Sequence, residues 1–193
     1  MFIGLFDINN IQEVLDNRKK IMQFAYHGGL LHDVGKMFIF ETIMTYGRDL
    51  SPEERQLLQL HTNLGSKLLQ MNHSTREYSD LALGHHKYYD NIHGYPESFD
   101  YQKVANPIMI YILTIADCLD AATDIVGRNY KKGISIEQYI EELNREKAGR
   151  YSPELVDLFN DKKVVDIISY HLINERQENY KRAYELLIAS IVD

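Results

Sequence analysis

Apolar residues recur at helical spacing along almost the whole chain, and no segment alternates apolar and polar residues between turn signals. The pattern predicts an all-α domain, a single bundle of about seven to nine helices without a substantial sheet. One helix is expected over 19–31, ending near His32-Asp33 with Gly35 as its stop. Ser51-Pro52-Glu53-Glu54 opens the next: Ser51 caps, Pro52 takes the first turn and Glu54 completes a capping box. That helix is expected to reach about Met71, with Leu57, His61, Leu64 and Leu68 on one face. A helix over 75–86 and a loop over 90–96 follow, the latter rich in turn formers. A long helix over 104–126 carries Ile108, Ile112, Ile115, Leu119 and Ala122 on one stripe and Asp117, Asp120 and Asp124 on another. Helices near 135–147, 153–174 and 176–191 finish the chain, Ser152-Pro153 opening the second. The last, with Tyr180, Tyr184, Leu187, Ile188 and Ile191, either completes the core or pairs with a partner such as a second copy. With no internal repeat or linker, residues 1–193 read as one domain.

Composition narrows the class. The longest apolar run, Ile108 to Ala116, is ended by Asp117, well short of the roughly 20 residues that span a bilayer. The N-terminus has no basic region and no small-residue cleavage site, so the expectation is a cytoplasmic protein without membrane insertion. The single cysteine, Cys118, excludes a disulfide framework and reads as a small buried hydrophobe. A net charge of −7, from 28 acids and 21 bases, argues against a duplex nucleic acid partner.

The eight histidines are clustered rather than scattered. His32-Asp33 lies at a helix end, His61 on an apolar stripe, and His85-His86 closes another helix. Imidazole and carboxylate donors of this kind suit Fe, Mn, Co or Zn. Neighbours on a helix point about 100° apart, so neither pair would naturally share one metal; as ligands they would serve different ions of a two-metal cluster, or Asp33 would bridge. Asp117 is either paired or metal-bound among Ile115, Ala116 and Leu119, or faces solvent with Asp120 and Asp124.

Six segments, in order over about residues 25–160, resemble the HD superfamily of metal-dependent phosphohydrolases, and within it the HD-GYP group. They are Leu31-His-Asp-Val-Gly-Lys36, Leu50-Ser-Pro-Glu-Glu54 with His61-Thr-Asn-Leu-Gly65, His85-His86 with Asp90 and Gly94-Tyr-Pro96, Ile115 to Asp124, Arg128-Asn-Tyr-Lys131, and Tyr151-Ser-Pro-Glu-Leu-Val156. The resemblance implies packed helices around two divalent transition metals, Fe or Mn first, with Zn, Co or Ni as alternatives. His32, Asp33, His61, His85, His86 and Asp117 would be ligands. Lys36 and Asp33 would be the catalytic residues, with Lys36 on the substrate phosphate. Tyr95 and Pro96 would belong to the loop beside the site. The implied activity is phosphodiester hydrolysis of a cyclic dinucleotide, cyclic di-GMP, by a metal-bridging hydroxide. Arg128, Lys131 and Lys132 are partners for a second phosphate or a solvated basic turn.

Three departures stand out. The family's upstream His is missing, since residues 1–26 contain none, and His27 lies off the face of His32. Either the first ligand is lost or, as the favoured expectation, the chain is a fragment lacking an upstream helix or sensory region. Lys87 replaces the acid usual after the paired histidines, and the loop carries an inserted His93, which either points into the pocket or is a plain loop residue. Arg128-Asn-Tyr-Lys131 lacks the family's proline. Two other readings follow: a degenerate domain that binds metal, nucleotide or a partner without turnover, and a general phosphohydrolase of nucleoside phosphates.

Overall fold

A computed structural model describes residues 2, 5–39, 43, 48–104, 107–125 and 132–192. Among them there is no strand, only two isolated bridges, Lys87 with Gly94 and Lys147 with Tyr151. The helices are α1 (Ile11–Asp16), α2 (Arg18–Leu31), α3 (Pro52–Gln59), α4 (His61–Gln70), α5 (Ser79–Gly84), α6 (Ile108–Thr123), α7 (Ile136–Arg145), α8 (Pro153–Asp157), α9 (Lys162–Tyr170) and α10 (Arg176–Val192). No described helix is long and apolar enough to cross a membrane.

The most apolar helix, α6, is the centre. It packs against α2, α5 and α7, burying Ile108, Met109, Ile110, Leu113, Ile115 and Leu119. The apolar stripe expected on it is buried at Ile108, Ile115 and Leu119 and partly buried at Ile112 and Ala122. Behind it, Tyr139, Leu143, Tyr151 and Val156 are almost fully enclosed, and the Tyr139 hydroxyl donates to the Ile115 carbonyl at 3.2 Å. α7 starts with a capping box of Ser135 and Gln138.

The expected helix from Ser51 to Met71 begins as read, with Ser51 and Glu54 forming their capping box, but it breaks at Leu60. The cause is local. His61 Nδ1 takes the Leu58 carbonyl at 2.6 Å and Thr62 Oγ1 the Gln59 carbonyl at 3.1 Å, so side chains compete for the last carbonyls of α3. The buried face is His61, Thr62, Gly65, Ser66 and Leu69; of the expected stripe His61 is buried, Leu64 and Leu68 are half-buried and Leu57 is exposed.

The expected 153–174 helix is broken too. α8 ends in a 3-10 turn, and Asp161 caps α9 by accepting from the Lys163 amide. The boundary expected between 174 and 176 is absent: a π turn over His171–Glu175 carries α9 on into α10. α10 is held by Arg176, whose guanidinium reaches Asp120 Oδ1 at 2.7 Å and the Thr123 carbonyl at 2.9 Å. Beyond it, residues 177–191 are exposed, so this helix does not complete the core.

Candidate metal centre

Three histidines reach the site by the same device. Each stands at a helix boundary and sends Nδ1 to the carbonyl three residues back: His32 to Gly29 at 2.7 Å, His61 to Leu58 at 2.6 Å and His85 to Ala82 at 3.0 Å. A ring that donates from Nδ1 presents Nε2 as a lone pair, and these three Nε2 atoms converge. His61 and His85 face each other through Nε2 at 3.3 Å, and both rings are almost wholly buried. His86 completes this group, its ring lying 5.2 Å from that of His61 and 4.1 Å from that of His85.

Asp33 sits between two halves. Its Oδ1 faces His61 Nε2 at 3.3 Å and His85 Nε2 at 3.7 Å, while Oδ2 faces His32 Nε2 at 3.3 Å and touches Lys36 Nζ. Asp117 Oδ1 approaches His32 Nε2 at 3.8 Å. Thus all six expected ligands are brought together, as His61, His85 and His86 on one side and His32 with Asp117 on the other, joined by Asp33. Of the three aspartates read as one stripe on α6, only Asp117 enters the site. Asp120 is exposed and pairs with Arg176, and Asp124 is buried, accepting from the Tyr180 hydroxyl at 2.9 Å.

Asp33 owes its place to Gly35. A Cβ there would lie 1.9 Å from the His61 carbonyl oxygen and 2.5 Å from the Gly65 nitrogen. The 3-10 turn Val34–Phe38 therefore lies directly on α4, and only glycine permits it. Gly35 thus does more than stop a helix.

The donor set fits metal cations on a direct test. His32 Nε2 and Asp33 Oδ1 are buried polar atoms with no hydrogen-bond partner among the described residues. Lone pairs facing lone pairs in a buried cluster need a proton or a cation between them. The titration pattern agrees. Burial holds the His61 imidazole down at about 4, and burial with the neighbouring His85 holds His86 at about 2, so both rings are neutral at pH 7, the form a metal would require. For His32 burial acts downward too, but the Asp117 and Asp33 carboxylates outweigh it and raise the ring to about 10. Against burial, His32 and the other histidines lower Asp117 to about 2, while His32, His85 and Lys36 hold Asp33 far below the carboxylate range.

The cluster opens into a cleft of about 990 Å³ lined by Lys36, Tyr95, Pro96, Asp117 and Arg150 among others. Tyr95 stacks on His86 with ring centroids 4.6 Å apart. Gly94, at φ 78°, makes the turn, and a Cβ on it would lie 2.2 Å from the His86 carbonyl oxygen. Lys87 is buried and donates to the Ile92 carbonyl at 3.4 Å, so it braces this loop from inside. His93 is exposed and pairs with Asp90 at 2.6 Å, a plain loop residue. His27 bonds the Tyr78 hydroxyl at 3.1 Å, away from the cluster. Arg128 and Lys131 lie outside the described residues, while Lys132 is exposed. Two residues of the cleft wall were not expected from sequence. Cys118 is no mere core filler: it lines the cleft and accepts from Arg150 Nη2 at 3.0 Å. Arg150 itself follows a loop in which only its charge marks it.

The family profile described as HD domain matches residues 8–155. A cyclic di-GMP phosphodiesterase of Thermotoga maritima is 29% identical over 159 residues, 80% of this chain and 42% of the relative. A 3'3'-cGAMP-specific phosphodiesterase of Vibrio cholerae is 34% identical over 132 residues, 66% of this chain and 24% of the relative. A cyclic di-GMP phosphodiesterase of Pseudomonas aeruginosa is 29% identical over 132 residues, 68% of this chain and 30% of the relative. The chain thus spans less than half the length of each of these relatives.

Proposed function

The chain belongs to the HD-domain family, and from that premise we propose that it is a metal-dependent phosphodiesterase that opens a cyclic dinucleotide, cyclic di-GMP being the first candidate. The observation that carries this reading is the division of the Asp33 carboxylate, one oxygen toward His61 and His85 and the other toward His32. A carboxylate so placed could serve a cation on either side. The names of the relatives support the cyclic dinucleotide as substrate.

Two divalent cations held by His61, His85, His86, Asp33, His32 and Asp117 would supply Lewis acidity toward the phosphoryl group and a nucleophile at neutral pH. The rest falls to the chain's own residues. Lys36, on the cleft wall beside Asp33, balances charge gathering on the non-bridging phosphoryl oxygens. The backbone carbonyls of Gly29, Leu58 and Ala82 fix the tautomer and orientation of the three ligand rings. Tyr95, stacked on His86, forms one wall against which a base or ribose lies.

Elemental analysis of anaerobically purified protein, together with a substrate panel, tests the reading. The expected result is two transition metals per chain, and hydrolysis of cyclic di-GMP or 3'3'-cGAMP in preference to nucleoside monophosphates. Asp33→Asn is expected to lower the metal content below one and to abolish turnover. Metal-loaded protein that cleaves no cyclic dinucleotide and no simple phosphodiester would refute it.

A further inference from the structure

Among the described residues Arg150 stands in the cleft as a cation without a counter-ion. There its Nε is buried with no hydrogen-bond partner, and Nη2 has only the Cys118 sulfur, a weak acceptor. Its guanidinium lies over the rings of Tyr88 at 5.4 Å and Tyr151 at 5.3 Å, which hold the plane of the fork in place. Asp117 and Glu142 line the same cleft, yet Arg150 forms no ion pair with either among the described residues. Its loop is tied down as well. The Arg150 carbonyl accepts from the Tyr89 amide at 3.1 Å and the Gly149 carbonyl from the Asp90 amide at 3.0 Å, which joins it to the Tyr95 loop.

A partly buried, pre-oriented guanidinium left unpaired is costly unless an anion arrives with the ligand, and its planar fork matches two phosphate oxygens. Its place is informative. Cys118 follows Asp117 on α6, so the contact with Arg150 sets the guanidinium on the cleft wall next to the His/Asp cluster, not inside it. A cyclic dinucleotide carries two phosphodiesters. The one being cleaved belongs to the cluster and Lys36, and the other needs a separate cation.

We propose that Arg150 is the anchor of the second, unreacting phosphodiester, and so a specificity residue that favours cyclic dinucleotides over esters with a single phosphate. The identity of the ligand rests on the phosphodiesterase reading, whereas the anion site itself does not. Arg150 thus acts in binding, and the cluster acts in bond breaking.

The test uses the full chain and two readouts. In EDTA, cyclic di-GMP binding is measured by calorimetry for wild type, Arg150→Gln and Arg150→Lys. With metal loaded, turnover of cyclic di-GMP is compared with that of bis(p-nitrophenyl) phosphate, which has one phosphate. For Arg150→Gln the expectation is at least tenfold weaker binding in EDTA and a KM for cyclic di-GMP at least tenfold higher. Its kcat, and its rate on the single-phosphate ester, should stay within twofold of wild type. Arg150→Lys, which keeps the charge, should recover part of the affinity. Unchanged binding in Arg150→Gln overturns the proposal, as does failure of wild type to bind cyclic di-GMP in EDTA. An equal loss on both substrates with a lowered Tm also overturns it, since that marks a structural residue. If wild type binds but never turns over while Arg150→Gln loses binding, the phosphodiesterase reading fails and the anion site stands.

Discussion

Gly35→Ala is the sharpest test of how this centre is built. The added methyl would lie 1.9 Å from the His61 carbonyl oxygen, 2.5 Å from the Gly65 nitrogen and 2.8 Å from the His61 carbonyl carbon. All three are backbone atoms of α4, so no side chain can swing aside. Ordinary contact begins near 3.4 Å, so the turn and α4 must part by about 1.5 Å. Overpacking of this kind costs about 1–3 kcal/mol or somewhat more. At roughly 2–4 °C per kcal/mol for a domain of this size, Tm should fall by about 2–12 °C. The same separation would open the 3.3 Å approach of Asp33 to His61, and a displacement of about 1 Å in a reacting site is worth about 100-fold in rate. The assay is thermal unfolding with metal content and turnover, against Gly29→Ala as control. A Cβ at Gly29 meets nothing within 4 Å, and alanine favours a helix interior, so Tm should hold or rise slightly. Gly35→Ala protein with full metal content and turnover within threefold of wild type would show that the close approach at Gly35 does not set the Asp33–His61 geometry.

Further expectations follow from the same geometry. Metal-free His32 carries a proton at pH 7, since its ring is raised to about 10, while His61 and His86 do not; calorimetry in buffers of different ionisation enthalpy should therefore show about one proton released from His32 on metal binding, and zero release would contradict this. In metal-free protein, His61 and His86 are depressed to about 4 and about 2, so the unfolded chain binds more protons as pH falls below about 6.5. Stability contributed by these rings is full above that pH and is lost on the way down to about 4 and below, which a Tm series from pH 7 to 4 in EDTA would reveal as a steady decline. His32 acts with the opposite sign: its contribution is present below about 6.5 and fades as pH climbs toward 10. Arg176→Ala removes bonds to Asp120, to the Thr123 carbonyl and to Thr123 Oγ1; the expected cost is about 1–3 kcal/mol in chemical denaturation with metal content unchanged.

The all-α class and the six clustered donors were legible because both depend on local pattern: helical spacing for the first, residue type within ordered segments for the second. Ser51 with Glu54 likewise announces itself within four residues. The break at Leu60 was not legible, since nothing in the spacing of Leu57, His61, Leu64 and Leu68 says that His61 and Thr62 will bond back to the preceding turn. For the aspartates of α6 the ambiguity was real. Spacing puts Asp117, Asp120 and Asp124 on one stripe, and only the neighbours brought up by other helices, His32, Arg176 and Tyr180, separate their fates.

The sequence by itself determined the helical class and which His and Asp side chains are available as donors, because spacing and donor type are local properties. Tertiary structure alone decided how those donors share space. The division of Asp33 between two halves depends on a glycine in one turn meeting the backbone of a helix some 26–30 residues later. That Arg150 has no ion pair among the described residues depends on which carboxylates fail to reach it. Both are facts about distances between segments remote in the chain, which no local pattern encodes.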